Sequence, residues 1–161
     1  MSGAYQEILA GAVVTRNPPG IRHELICKRL HHCVRAGVGN LATIHLLPPR
    51  SEIHLAANTK VCPDLALTAA ATGKLWLAAE VISSEDHRPD TVVKKEIYEE
   101  LKLPRLWMID PRYDNVEVYH GTQYGLVLKW MLAGRDVLSE ALLPEFALVI
   151  SELFQVPSAQ G

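Results

Sequence analysis

The chain has 161 residues, of which 48% are hydrophobic and 21% charged, and a net charge of −2. That length suits one domain with a sizeable core, and the composition excludes a disordered or membrane-embedded chain. The weak negative charge also excludes global attraction to nucleic acid, so any such contact needs a local basic face.

A single domain over residues 1–161 is expected, with a flexible tail over 156–161. The start, Met1-Ser2-Gly3-Ala4-Tyr5, has neither the basic nor the apolar region of a signal peptide, and no apolar run is long enough to span a bilayer. A cytoplasmic protein with no membrane partner is expected. Cys27, Cys33 and Cys62 make no CxxC pair, and the seven histidines make no HxH or HxxxH pair, so neither a disulfide framework nor a zinc site is indicated.

Residues 6–15 read as a hairpin turning at Ala10-Gly11, ended by Asn17-Pro18-Pro19-Gly20. A helix follows over 21–36, closed by Gly37, with an apolar stripe of Ile26, Leu30, Cys33 and Val34. Residues 42–47 and 52–56 are short strands separated by Pro48-Pro49-Arg50. Two more strand-like runs, 63–67 and 75–82, are joined by a tight connection around Gly73. After a polar loop over 83–88, Pro89 suits the first turn of a second helix running to about residue 101. Pro104 ends it and leads into a buried strand over 105–109. Asp110-Pro111-Arg112-Tyr113-Asp114-Asn115 is a turn, and 116–120 with 124–132 form a hairpin around Gly121. A short strand and a last turn of helix close the chain by Phe154. The fold class is α+β, a mixed β-sheet core flanked by helices.

Two acids stand out. Asp64 opens the run 63–67, and Glu80 is the one charge in the run 75–82, which reads as a strand covered on both faces. A lone ionised carboxylate there costs on the order of several kcal/mol unless a cation or strong donors meet it. In one reading Asp64 is a turn former and Glu80 an ion-pair partner of a helix lysine. In the other both acids hold a divalent cation, with a lysine beside them, as in a metal-dependent phosphodiesterase. The residues alone leave both readings open.

Helical geometry chooses between the adjacent lysines. If Val93, Ile97 and Leu101 mark the buried face, Lys94 lies about 100° from Val93 and beside Ile97, whereas Lys95 lies about 200° away, facing water with Glu99 as its partner. Lys94 is then the one placed to reach Glu80. Asp90 reads as a first-turn charge and Tyr98 as a core-edge residue with a polar tip. His23 falls on the inward stripe of the first helix, as a satisfied core residue or a phosphate or metal contact. Arg22, Lys28 and Arg29, with His31, His32 and Arg35, make that helix the most basic segment: a weak nucleic-acid face or a solvated back.

At Pro63-Asp64-Leu65, Glu80-Val81-Ile82-Ser83 and Trp107-Met108-Ile109-Asp110-Pro111 the sequence resembles the Uma-type "putative restriction endonuclease" family of the PD-(D/E)XK nuclease-like superfamily. The likeness begins at Tyr5-Gln6-Glu7-Ile8-Leu9-Ala10-Gly11 and ends at Gly134-Arg135-Asp136-Val137-Leu138 and Leu142-Leu143-Pro144-Glu145-Phe146-Ala147-Leu148. The resemblance implies a restriction-endonuclease-like core with N-terminal and C-terminal hairpins, in which Asp64 and Glu80 hold Mg2+ or Mn2+. Where the superfamily signature has lysine, this chain has Ile82. The family supplies the lysine from the next helix in a D-x3-K-x3-Y pattern, matched by Asp90, Lys94 and Tyr98. His23 matches a histidine near the start of the family's first helix, and Glu24 a first-helix acid seen near the metal in related nucleases. Both, with Tyr98, are additional site candidates.

The resemblance implies a Mg2+-dependent endonuclease cutting DNA, working as a homodimer, with Asp64, Glu80 and Lys94 catalytic. The chain departs from the family at Lys102-Leu103-Pro104-Arg105-Leu106-Trp107, which lacks a turn glycine and a glutamate. A different expectation therefore stands beside the first: a nuclease-fold binding or assembly module using apolar surface around Trp130-Met131-Leu132.

Overall fold

A computed structural model describes residues 3–83 and 88–156. The chain opens with β1 (Tyr5–Leu9) and β2 (Ala12–Arg16), paired antiparallel around a turn in which Ala10 and Gly11 both take positive φ. Strand parity is visible in β1: Glu7 and Leu9 are buried while Gln6 is exposed. Helix α1 (Ile21–Val38) buries Ile26, Cys27, Leu30, His31 and Val34. It runs past Gly37 and ends at Gly39, whose positive φ suits a helix end. Gly37 has another job. A Cβ there would lie 2.6 Å from Phe146 Cβ, so only glycine lets the helix touch that strand.

The remaining strands are β3 (Ile44–Leu46), β4 (Ile53–Ala56), β5 (Thr59–Val61), β6 (Leu65–Ala69), β7 (Leu75–Val81), β8 (Arg105–Asp110), β9 (Asn115–Thr122), β10 (Gly125–Ala133), β11 (Val137–Glu140) and β12 (Leu143–Val149). They form a six-stranded sheet in the order β10-β9-β8-β7-β6-β3, a four-stranded sheet β2-β1-β5-β4, and the hairpin β11-β12. The larger sheet is mixed: β7 and β8 run parallel and the other pairs antiparallel. A helical segment supplies the crossover that parallel strands require.

That segment starts as a π-helical stretch over Pro89–Lys94 and continues as α2 (Lys95–Glu100). Its inner stripe is polar where the sequence pattern suggests an apolar one. Asp90, Lys94 and Tyr98 are buried with Ile97, and Leu101 is exposed. Lys95 is not directed at solvent with Glu99. Its ammonium lies 4.3 Å from the Tyr119 ring centre and 3.2 Å from the Tyr119 hydroxyl, while Glu99 accepts the Leu126 N–H at 2.8 Å. The late hairpin turns between Thr122 and Gly125, leaving Gly121 inside β9. A Cβ there would strike the Leu103 carbonyl at 2.3 Å. Helix α3 (Ile150–Phe154) closes the described chain.

Residues of β7 alternate between two cores. Leu77, Ala79 and Val81 face α1, β12 and α3, in a cluster where Trp107 stacks on Phe146 with ring centres 5.6 Å apart. Ala78 and Ile82 face the four-stranded sheet and α2, with Leu9, Val61, Tyr98 and Met108. The central sheet is thus covered on both sides, and Glu80 belongs to the second face by parity. Among the described residues no helix is long and apolar enough to cross a membrane. The tail expected to be flexible over 156–161 lies, Val156 apart, outside the described residues, as does most of the polar loop over 83–88.

Candidate active site

Asp64 immediately precedes β6, whose first residue Leu65 pairs with Ala79, the neighbour of Glu80 on β7. Both are buried, at 3% and 2% exposure. Each answers to a different set of partners.

Asp64 Oδ2 accepts the Val81 N–H at 2.8 Å, which ties it to the end of β7. Its Oδ1 accepts from His23 Nε2 at 3.1 Å and from Arg50 Nε at 3.1 Å. His31 Nε2 donates to the Asp64 backbone carbonyl at 2.8 Å, so α1 holds the residue from two turns. Burial lowers the His31 pKa, which keeps that imidazole neutral. Burial resists ionisation of Asp64, but the His23 hydrogen bond, Arg50 and the Val81 N–H outweigh it. They hold its carboxyl down at about 2. Glu24, half-buried on α1, pairs with Arg50 Nη2.

Glu80 Oε2 lies 2.5 Å from Lys94 Nζ and accepts the Tyr98 hydroxyl at 2.7 Å. Lys94 also reaches Glu7 Oε2 at 2.6 Å, and Glu7 accepts the Cys62 N–H at 2.8 Å and pairs with Arg16 at 2.7 Å. Arg16 in turn grips Asp90 through two parallel bonds of 3.0 and 2.9 Å. Asp90 is the first-turn acid of the helical segment, and it is also a buried ion-pair partner of Arg16. Burial pushes the Glu80 carboxyl up to about 8; Lys94 opposes this, while Asp90, Glu7 and Asp64 add to it. Burial opposes the charge on Lys94, but Glu80, with Tyr98, Glu7 and Asp90, holds its ammonium well above the ordinary pKa.

Among the described residues, these contacts involve five carboxyl groups, Glu7, Glu24, Asp64, Glu80 and Asp90, and three cations, Arg16, Arg50 and Lys94. A divalent cation bound between Asp64 and Glu80 would draw the proton off Glu80 and offset the repulsion between the acids. Hard carboxylate oxygens suit Mg2+ or Mn2+, so the donor set fits the metal that the sequence resemblance implies.

A family model described as "Putative restriction endonuclease", Uma2, matches residues 2–151. The chain belongs to the Uma2 family. It is also similar to a crystal structure of a putative nuclease belonging to DUF820 from Anabaena variabilis. That likeness has a TM-score of 0.77 at 16% sequence identity and covers 92% of this chain and 89% of that one. At that identity it shows a shared nuclease-like fold. No functionally curated protein matches the chain.

In this Uma2 chain the sequence candidates fall in two adjoining sets of contacts, His23, Asp64 and Glu24 around Arg50, and Glu80 with Lys94 and Tyr98, which meet where Asp64 accepts the N–H of Val81, the residue after Glu80. The basic face of α1 does not. Arg22 donates to the Pro111 carbonyl and Asp114, both at 2.6 Å, and Arg29 to the carbonyls of Leu153 and Gln155. Both guanidiniums are bound to their own chain, His31 is turned inward, and Lys28 is exposed.

Four participants have no place in the sequence reading as site residues. Glu7 and Arg16 share the inward parity of their strands, the one signal that marks them. Cys27 stands one helical turn from His23, and reading it as a small core residue hides that spacing. Arg50 sits in a loop with no periodicity to expose it.

Proposed function

We propose that this chain is a divalent-metal-dependent endonuclease that cleaves phosphodiester bonds in DNA. The observation that carries the reading is two buried carboxyl groups at the junction of β6 and β7, Asp64 held by the Val81 N–H at 2.8 Å and Glu80 next to Val81 with Lys94 at 2.5 Å. Asp64 and Glu80 would hold the metal, Mg2+ or Mn2+, which supplies Lewis-acid polarisation of the phosphodiester and a more acidic water. Lys94 positions Glu80 in the metal-free site and provides an ammonium for the charge that builds on the phosphoryl oxygens. Tyr98 orients Glu80 through its hydroxyl. Val81 and His31 fix Asp64 by hydrogen bonds to its side chain and backbone, so the ligand geometry is set before substrate arrives.

The test is cleavage of circular and linear DNA with Mg2+ or Mn2+ by the parent, Asp64→Asn, Glu80→Gln and Lys94→Met, with thermal unfolding of each protein alongside. Metal-dependent cutting by the parent, lost in folded variants, supports the reading. Cutting at parental rate by Asp64→Asn and Glu80→Gln removes the site assignment.

A second reading is carried by strand β10. It is one of the two outer strands of the six-stranded sheet and exposes Val127, Leu128, Trp130 and Met131, an arrangement that invites association of sheet edges. It supports a homodimer, either of the nuclease or of a nuclease-fold assembly module. Sedimentation of the parent and of Trp130→Lys/Met131→Glu distinguishes them from a monomer. A dimer lost in the double variant supports this surface, and a monomeric parent discards it.

A further inference from the structure

His23 and Cys27 stand one turn apart on α1, a spacing that places their side chains on the same face. Asp64 lies against that face. One imidazole nitrogen, the Cys27 sulfur and an Asp64 oxygen all fall within 4.8 Å of one another. The oxygen turned toward α1 is Oδ1, since Oδ2 is held by the Val81 N–H. Cys27 and Asp64 are buried, whereas His23 borders a cavity of about 360 Å³ also lined by Tyr5, Arg16, Arg22 and Ile82.

A cation already sits in this place. The Arg50 guanidinium lies 3.1 Å from Asp64 Oδ1 through Nε and 3.6 Å from Cys27 Sγ through Nη2, and it also pairs with Glu24. Arg50 does so from a backbone with φ of 53°, a left-handed conformation that a non-glycine residue adopts at some cost.

We propose that His23, Cys27 and Asp64 form a three-ligand site for a Zn2+-class transition cation, with the fourth position opening to the cavity. Nitrogen, sulfur and oxygen together form a borderline-soft set, which suits Zn2+ or Co2+ in tetrahedral geometry. Mg2+ requires near-octahedral oxygen ligation and gains little from a thiolate. Binding displaces Arg50 from Asp64 and Cys27, and the thiol gives up its proton to solvent as the metal–sulfur bond forms. The proposal rests on the nuclease reading only in sharing Asp64; Glu80 and Lys94 take no part. It gives the chain a metal preference distinct from that of the carboxylate pair.

The experiment is titration of chelator-treated, reduced protein with Co2+, followed by absorption spectroscopy. One equivalent gives visible bands of tetrahedral intensity and a near-ultraviolet band from thiolate-to-cobalt charge transfer. Cys27→Ser loses the charge-transfer band while circular dichroism stays native, and Zn2+ bleaches the parent spectrum by displacement. Arg50→Gln, which removes the competing cation, binds Co2+ at least about tenfold more tightly, the factor that corresponds to 1.4 kcal/mol. Glu80→Gln leaves the spectrum unchanged. No charge-transfer band in the parent overturns the proposal, as does a band that survives in Cys27→Ser. A spectrum in a parent that shows no Mg2+-dependent DNA cleavage supports this site and counts only against the nuclease reading.

Discussion

Lys94 on the crossover helix lies 2.6 Å from Glu7, a carboxylate carried by the first strand of the other sheet. Its ammonium also lies 2.5 Å from Glu80, so one buried cation joins the small sheet, the crossover helix and the central sheet. The lysine cannot be understood from Glu80 alone, because Glu7 helps to keep it charged in a place where burial opposes charge.

Glu7→Ala is therefore expected to be strongly destabilising. It removes one of two carboxylate partners from each of the buried cations Lys94 and Arg16, and leaves the Cys62 N–H without its acceptor. Breaking a buried pair from one side costs about 3–5 kcal/mol. Urea denaturation measures this, and a loss below about 1 kcal/mol would show that solvent replaces Glu7 without penalty.

Asp64 and Glu80 respond to pH in opposite directions although Asp64 is bonded to the N–H of Val81, the residue after Glu80. The folded state lowers Asp64 from 3.8 to about 2, so its contribution is present above 3.8 and is lost as pH falls through 2. Glu80 is raised from 4.5 to about 8. The folded state keeps a proton that the unfolded chain releases, so that contribution is present below 4.5 and is lost as pH rises through 8. Metal-free protein is expected to lose stability between pH 4.5 and 8, with a slope of up to about 1.4 kcal/mol per pH unit for one proton. Glu80→Gln flattens that slope. An equally steep slope in the variant assigns the proton to another group.

How far the site can be read from sequence depends on the kind of element each residue occupies. Asp64 and Glu80 are legible because a single acid in a strand covered on both faces breaks its pattern. Lys94 is legible because helical geometry separates it from Lys95, although the stripe used to make that choice is wrong at Leu101. The inner face is the polar row Asp90, Lys94 and Tyr98, which a search for apolar periodicity passes over. Arg16 is bonded to Asp90, 74 positions away, and such contacts leave no mark in local pattern. Of the fold, the first hairpin and α1 follow from local signals. Thr59–Val61 does not, because a three-residue strand is too short to show alternation.

Tyr98→Phe isolates the orientation of Glu80. The ring stays buried and the hydroxyl that donates to Glu80 at 2.7 Å is removed. Loss of a hydrogen bond to a charged or partly charged acceptor costs about 1.5–3 kcal/mol. If Glu80 is a metal ligand, the apparent Mg2+ affinity measured by calorimetry also falls, because the carboxylate is freer to leave its position. A variant with parental metal affinity and lower stability gives Tyr98 a role in folding alone.

Gly37→Ala tests the fit between α1 and the closing hairpin. Alanine is the better helix former by about 1 kcal/mol, so local propensity alone predicts a gain. Its Cβ would lie 2.6 Å from Phe146 Cβ and 3.2 Å from the Phe146 backbone, neither of which is the yielding end of a flexible chain. Phe146 is itself stacked on Trp107, so the strain passes into the main core. Overpacking of this kind costs about 1–3 kcal/mol and outweighs the propensity gain. The expected result is a lower melting temperature, and Phe146→Leu in the same background should not recover the loss, because leucine keeps the Cβ and backbone that clash. A rise in melting temperature for Gly37→Ala would mean that the helix and hairpin separate without penalty, and that Gly37 is not there for packing.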